Sequence, residues 1–210
     1  YPKNIEGIQR ISLFKGRVKL NLILGDISAT KTYLEQISDV DAWFFDGFSP
    51  AKNPELWTKE LLSKINDCCH KESTFSTYTS SGFVKKNLNE AGFTYEKVKG
   101  FSHKRHMLKG ISNSNEERKS LENLKVAVIG SGIAGCTVSH LLSDQGISVD
   151  LYEQEEVICS GASSHELLVT YPRLSAHDTP YGRFNLHAYV YATNFYKNLK
   201  SSAWKQTGVL

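Results

Sequence analysis

Several things are scarce in this 210-residue sequence, and each scarcity excludes something. No apolar run approaches the ~20 residues a membrane helix needs, and no signal-peptide pattern opens the chain, so no membrane partner is expected. Cysteine occurs only at Cys68, Cys69, Cys136 and Cys159. These form no C-x-x-C pair, and adjacent Cys68-Cys69 is a poor disulfide framework. Reduced thiols acting as small buried hydrophobes are expected, which fits a cytoplasmic protein. The seven histidines show neither H-x₃-H nor H-E-x-x-H spacing, so no metal is expected. No internal repeat is present.

Neither sign of charge dominates, the net being +3. The division is uneven, however: residues 1–110 carry 17 Lys/Arg against 12 Asp/Glu, a net of +5, and residues 111–210 carry 8 against 10, a net of −2. A basic first half favours a polyanionic partner, although solvated surface lysines explain so small an excess more simply. Tyr1 is not an initiator methionine, and the sequence stops at Leu210 soon after an amphipathic segment. It therefore reads as an internal piece of a longer protein. Ile111 to Glu122, ISNSNEERKSLE, is polar and lacks apolar periodicity. It divides the chain into residues 1–110, a linker over 111–123, and residues 124–210.

What is present is most informative after that linker. Val126 to Ile129 is a β-branched strand feeding Gly130-Ser131-Gly132-Ile133-Ala134-Gly135, a G-x-G-x-x-G, followed by a helix pattern from Cys136 to Gln145. A second strand, Ser148 to Tyr152, ends at Glu153. Gly130 permits the tight turn, Gly132 lets backbone approach a pyrophosphate, and Gly135 lets helix pack on strand. The helix N-terminus offers N–H groups to phosphates. Glu153 stands where an acid accepts hydrogen bonds from a ribose hydroxyl. Further on, Tyr181, Phe184, Ala188, Tyr191, Phe195 and Leu199 recur at helical spacing and predict a helix burying an aromatic stripe.

In the first half, strands alternate with helices. Strands are expected at Val18–Leu24, Ala42–Phe45, Thr74–Thr79, Thr94–Val98 and Arg105–Leu108, and helices at Ala29–Ile37, Glu55–Cys69 and Ser81–Ala91. The alternation predicts an α/β fold with an open, mostly parallel sheet. Ligands of such sheets bind at the carboxyl ends of strands. Asp26 and Asp46 occupy those places. The helix after Asp46 starts only near Pro54, so helix capping does not account for Asp46.

The run Asp41 to Trp57, DAWFFDGFSPAKNPELW, resembles the signature of the methyltransferase domain of MnmC-type enzymes, which modify the wobble uridine of certain tRNAs. The likeness continues through Thr77 to Val84, Asn89 to Phe93, Gly100-Phe101 and Lys104-Arg105 to Leu108. It then crosses the linker into Gly161-Ala162-Ser163 and Tyr171-Pro172 to Asp178. In Ser164 to Leu168 the chain departs from the glycine and amide residues that family carries. The resemblance implies the C-terminal part of a Rossmann-like methyltransferase sheet, then the start of an FAD-binding Rossmann domain. The implied chemistry is FAD-dependent removal of the carboxymethyl group from 5-carboxymethylaminomethyl-2-thiouridine, then methylation of the freed amine by S-adenosylmethionine. Asp46 matches the proposed catalytic acid and Asp26 a contact to the S-adenosylmethionine adenine. Gly130, Gly132, Gly135 and Glu153 would hold FAD. Phe48 would stack on the uracil, and Lys52, Lys104 and Arg105 would meet the tRNA. Two other readings remain open on motif grounds. One is an NAD-dependent reductase fused to an unrelated α/β domain. The other is a non-catalytic RNA-binding fragment built on Lys85, Lys86, Lys97, Lys99, Lys104, Arg105 and Lys109.

Overall fold

A computed structural model describes residues 5–14, 16–102, 104–120, 123–174, 176–199 and 203–207. Leu121 and Glu122 of the expected linker, and Ser175 of the Tyr171–Asp178 segment, lie outside the described residues. In chain order the elements are β1 (Gly7–Leu13), β2 (Val18–Leu24), α1 (Ile27–Thr30), β3 (Val40–Phe45), α2 (Lys59–Asn66), β4 (Cys69–Thr77), α3 (Gly82–Glu90), β5 (Phe93–Lys99), β6 (His106–Ser112), β7 (Lys125–Ile129), α4 (Ile133–Ser143), β8 (Ser148–Tyr152) and α5 (Pro180–Asn198). Two compact units result, residues 25–120 and residues 1–24 with 121–210.

In the unit of residues 25–120 the sheet order is β3-β4-β6-β5. Only β3 and β4 run parallel; β4–β6 and β5–β6 are antiparallel. The expected mostly parallel sheet is thereby corrected, because the short Gly100–Arg105 connection returns β6 directly beside β5 instead of crossing over with a helix. Phe45, Phe75 and Phe93 meet with ring centroids 5.3–6.1 Å apart. Leu61, Leu62 and Ile65 from α2, Val84 and Leu88 from α3, and Leu108 from β6 complete the core. Gly110 has no room for a side chain, since a Cβ would strike the Thr94 carbonyl and the Phe75 ring.

Two expected helices are shorter than their sequence patterns suggest. Instead of a helix over Ala29–Ile37 there is the single turn α1 and then a 3₁₀ stretch, Lys31–Gln36. Thr30 and Thr32 turn their hydroxyls back on carbonyls of the preceding turn, a competition that disfavours continued helix. Instead of one helix over Glu55–Cys69, Pro54–Trp57 forms a 3₁₀ turn and Thr58 then caps α2, its hydroxyl accepting from the Leu61 amide. Cys69 already belongs to β4. Helix α3 ends before Gly92, whose φ of +90° suits glycine.

The segment expected to be a linker is partly ordered against this unit. Ile111 and Ser112 lie in β6. Beyond them the Ser114 hydroxyl donates to the Cys69 carbonyl, the Lys71 amide donates to Glu116 O, and Arg118 reaches Asp41. Asp41 also lies 3.1 Å from Nε2 of buried His70.

In the other unit β7 and β8 pair in parallel around α4, the expected strand–loop–helix–strand. The hairpin β1–β2 packs its β1 strand on α5. Thr179 caps α5 and Pro180 opens it. The aromatic stripe of α5 is buried less than expected. Tyr191 and Phe195 stack, and Phe195 meets His140, but Tyr181 and Phe184 are 61% and 70% exposed. Both rings stay mostly exposed, so apolar spacing alone does not bury that end of the helix. No helix of the described residues is long and apolar enough to cross a membrane.

Candidate active sites

The first site lies at the carboxyl ends of β3 and β4. Phe45 ends β3, and Asp46 follows at once, its amide folded back on the Phe44 carbonyl. The Asp46 carboxylate is exposed and has no hydrogen-bond or ion-pair partner among the described residues. It borders an open cavity of about 420 Å³ whose wall includes Phe44, Tyr78, Phe101, Lys104 and Met107. An acid left unpaired beside apolar and cationic groups can take up a cationic or amine ligand.

The loop that presents Asp46 is held from behind. Gly47 lies against the buried Trp57 indole, where a Cβ would come within 3.1 Å of the ring. The Trp57 Nε1–H donates to the Phe48 carbonyl at 2.9 Å, and Asn87 of α3 donates to the Trp57 carbonyl at 2.7 Å. Lys52 and Asn53 amides close a turn on Ser49. Asp46, Phe48 and Lys52 thus project from one braced turn, with Phe48 72% exposed and outside the cavity wall.

Asp26 follows β2 as expected, but its carboxylate serves first as the cap of α1. Oδ1 accepts from the Ser28 amide and hydroxyl, which holds the carboxyl below its ordinary range. Both bonds use one oxygen. Of the expected basic residues, Lys104 lies 4.9 Å from the centroid of the Tyr78 ring, while Lys86 pairs with Glu90 and Lys109 with Glu96. Arg105 is exposed, its carbonyl closing the hairpin with the Gly100 amide.

The second site is the glycine loop between β7 and α4. Gly130 has φ +95°, a conformation that requires glycine. A Cβ at Gly135 would strike the Gly130 carbonyl, so Gly135 serves helix–strand packing. Gly132 differs from both. Its φ is −64°, and a Cβ there would meet only the Ser163 hydroxyl, at 3.4 Å. Neither conformation nor packing within the protein demands glycine at Gly132, so the free space above it fits a closely approaching ligand. That is the fit a dinucleotide's pyrophosphate needs, and the start of α4 adds its dipole.

Glu153 stands beneath this loop. Its Oε2 accepts from the Ser131 amide at 2.8 Å and from the Ser131 hydroxyl; its Oε1 accepts from the Gln154 and Glu155 amides. These bonds, the Ser131 hydroxyl foremost, hold the Glu153 carboxyl down at about 2. Four donors fill its acceptor sites, so a ribose hydroxyl reaches Glu153 only by displacing one of them.

Sequence reasoning gave Ser163 no individual role, yet the Ser163 hydroxyl accepts from the Ile133 amide at 3.0 Å, over the first turn of α4. The signal was its place in Gly161-Ala162-Ser163. Trp57, Tyr78 and Phe101 were also given no role, since their importance lies in contacts distant in sequence. Cys68 and Cys69 are buried as expected, whereas Cys136 and Cys159 are half-buried with sulfurs 3.9 Å apart. No group of three or more His, Cys, Asp or Glu able to hold a metal occurs among the described residues.

Comparison with known proteins follows the same division. Residues 1–113 match the S-adenosyl-L-methionine-dependent methyltransferase family and residues 125–210 the FAD dependent oxidoreductase family. The chain belongs to the first of these families, and its second part is similar to FAD dependent oxidoreductases. The tRNA 5-methylaminomethyl-2-thiouridine biosynthesis bifunctional protein MnmC of Marinomonas sp. is 38% identical over 100% of this chain and 34% of its own length. The protein of the same name from Methylobacillus flagellatus is 41% identical over 95% of this chain and 30% of its own. A crystal structure of MNMC2 from Aquifex aeolicus is 32% identical over 51% of this chain and 35% of that one, with a TM-score of 0.40. The chain spans about a third of the length of the curated relatives it matches.

Proposed function

We propose that the protein containing this chain converts 5-carboxymethylaminomethyl-2-thiouridine at the wobble position of tRNA to the 5-methylaminomethyl nucleoside in two steps. FAD, when bound, supplies the oxidising power that removes the carboxymethyl group, and S-adenosylmethionine supplies the methyl that then caps the amine. The observation that carries this reading is Asp46, an unpartnered carboxylate at a strand end within a methyltransferase family match, in a chain that also matches an FAD-dependent oxidoreductase. The NAD-dependent alternative is disfavoured by that second match.

The intermediate amine resembles a lysine side chain, with a pKa of about 10.4, and is protonated and non-nucleophilic at neutral pH. Asp46 orients the ammonium and accepts its proton. Asp26 offers Oδ2 to the adenine end of the methyl donor while Oδ1 keeps its cap. Gly130, Gly132 and Gly135 shape the pyrophosphate seat, and Glu153 holds Ser131 in line with it. Phe48, Lys52 and Arg105 meet the tRNA around the modified nucleotide. Residues 1–110 form the methyltransferase part, 111–123 the connection, and 124–210 the oxidoreductase part, acting in the cytoplasm. The family matches at 1–113 and 125–210 support this division.

The test uses the full-length enzyme, tRNA bearing the carboxymethylaminomethyl nucleoside, and mass analysis of digested nucleosides. The aminomethyl nucleoside should accumulate without S-adenosylmethionine and the methylaminomethyl nucleoside should form when it is added. A colourless protein that produces neither overturns the reading.

A further inference from the structure

The β5–β6 hairpin loop overhangs the same cavity that Asp46 borders, and it brings two groups there. Phe101 is 88% exposed and lines the cavity with Phe44, itself 80% exposed, so two large apolar rings stand open on its wall. Lys104, three residues on, places its ammonium 4.9 Å from the centroid of the Tyr78 ring. Tyr78 itself packs edge-on against Trp57, centroids 6.2 Å apart, and Trp57 holds the Phe48 carbonyl. A continuous set of contacts therefore runs from the Asp46 loop through Trp57 and Tyr78 to Lys104.

We infer that Phe101 is the surface on which the target base stacks, and that Tyr78 positions Lys104 for the phosphate of that nucleotide. This rests on the methyltransferase reading of the Asp46 site. The cavity offers an unpaired nucleotide one group for each of its parts. The exposed ring meets the π face of the base, the carboxylate faces its aminomethyl substituent, and the ammonium meets its phosphate. The Lys104 ammonium in the cavity wall suits an anionic occupant such as a nucleotide over a neutral one. Phe48, by contrast, lies outside the cavity wall, so the aromatic that the sequence singled out is not among those that line it with Asp46. Lys104 over Tyr78 loses rotational freedom, which favours a fixed phosphate contact.

The experiment uses the full-length enzyme and tRNA carrying the 5-aminomethyl nucleoside, with affinity measured across a salt series and kcat separated from KM. Phe101→Leu should raise Kd and KM about ten-fold or more, leave kcat within a few-fold, and leave the salt slope unchanged. Phe101→Trp, which keeps a π face, should restore affinity. Lys104→Met should lower the log–log salt slope by about 0.7–0.9, one phosphate's worth. Tyr78→Phe should behave as the unmodified enzyme, and Tyr78→Leu should weaken binding as Lys104→Met does. Because Tyr78 touches Trp57, thermal midpoints of its variants are compared first, and the exposed Phe101 decides the outcome if Tyr78→Leu is unstable. Binding by Phe101→Leu within two-fold of the unmodified enzyme overturns the inference, as does an equal loss in Phe48→Leu and none in Phe101→Leu. Asp46→Asn separates the layers. If it methylates at full rate the reading of the site fails; if it binds tRNA but does not methylate while Phe101→Leu binds normally, only the stacking role fails.

Discussion

Ser131 donates twice to a single oxygen of Glu153, once from its amide at 2.8 Å and once from its hydroxyl. The same hydroxyl accepts from the Cys159 amide at 3.1 Å, so a side chain that is wholly buried links the glycine loop, the end of β8 and the segment after it. The acid that follows β8 is thus the anchor of the glycine loop between β7 and α4.

That anchoring depends on pH in a defined direction. The Glu153 carboxyl is held down at about 2 against an ordinary value of 4.5. A depressed pKa stabilises the folded loop at pH above the ordinary value and loses that contribution as pH falls through 4.5 toward 2. Flavin retention by the full-length protein should therefore weaken across this acid range. Glu153→Gln should bind FAD less well at neutral pH and show a flatter acid limb, both read from released flavin fluorescence. An unchanged acid limb in Glu153→Gln would show that another group controls it.

Two of the loop glycines should fail differently. Gly132→Val should leave the fold standing, because a side chain there meets only the Ser163 hydroxyl, yet abolish FAD retention. Gly135→Ala should destabilise the unit itself, because the added methyl meets the Gly130 carbonyl. Methyl transfer to a tRNA already carrying the aminomethyl nucleoside should survive Gly132→Val. Thermal midpoints, bound flavin and the methylation half-reaction separate these outcomes. A fully loaded yellow Gly132→Val protein would remove the loop from the flavin site.

Asp46→Asn should lower methyl transfer by about 10²–10⁴-fold, the usual contribution of a positioned base. Stability should scarcely move, since the exposed carboxylate has no partner among the described residues. A rate within a few-fold of the unmodified enzyme assigns the proton transfer elsewhere.

Trp57 should matter to both stability and activity. Trp57→Phe deletes the bond to the Phe48 carbonyl and should cost about 0.5–1.5 kcal/mol. Its effect on methylation should appear mainly in KM, as the Asp46 loop loses its brace. Trp57→Ala also opens the core, at about 3–5 kcal/mol. Denaturant titration and steady-state kinetics of the full-length variants measure both terms.

Cys68 should be nearly inert. Burial, with adjacent Cys69 adding to it, pushes its thiol up to about 11, so little thiolate exists at neutral pH. Timed alkylation followed by peptide mass mapping should find Cys68 among the slowest of the four cysteines.

Local chemistry was enough to locate the catalytic and loop candidates in the sequence. Gly130 needs positive φ, Asp46 follows a strand of aromatic residues, and Gly92 stops a helix; each follows from its immediate neighbours along the chain. Tertiary structure decided what those neighbours could not. Thr58 breaks an expected helix because its hydroxyl caps the next one, and β6 turns back beside β5 because a short loop allows it. Trp57 acquires its role from Phe48 and Asn87, nine and thirty residues away. Tyr78 and Lys104 meet across twenty-six positions through the pairing of β4 with β6. Spacing along a sequence reports periodicity within one element, whereas a hydrogen bond or ring contact between elements depends on sheet order and register, which many sequences of the same pattern could satisfy in different ways.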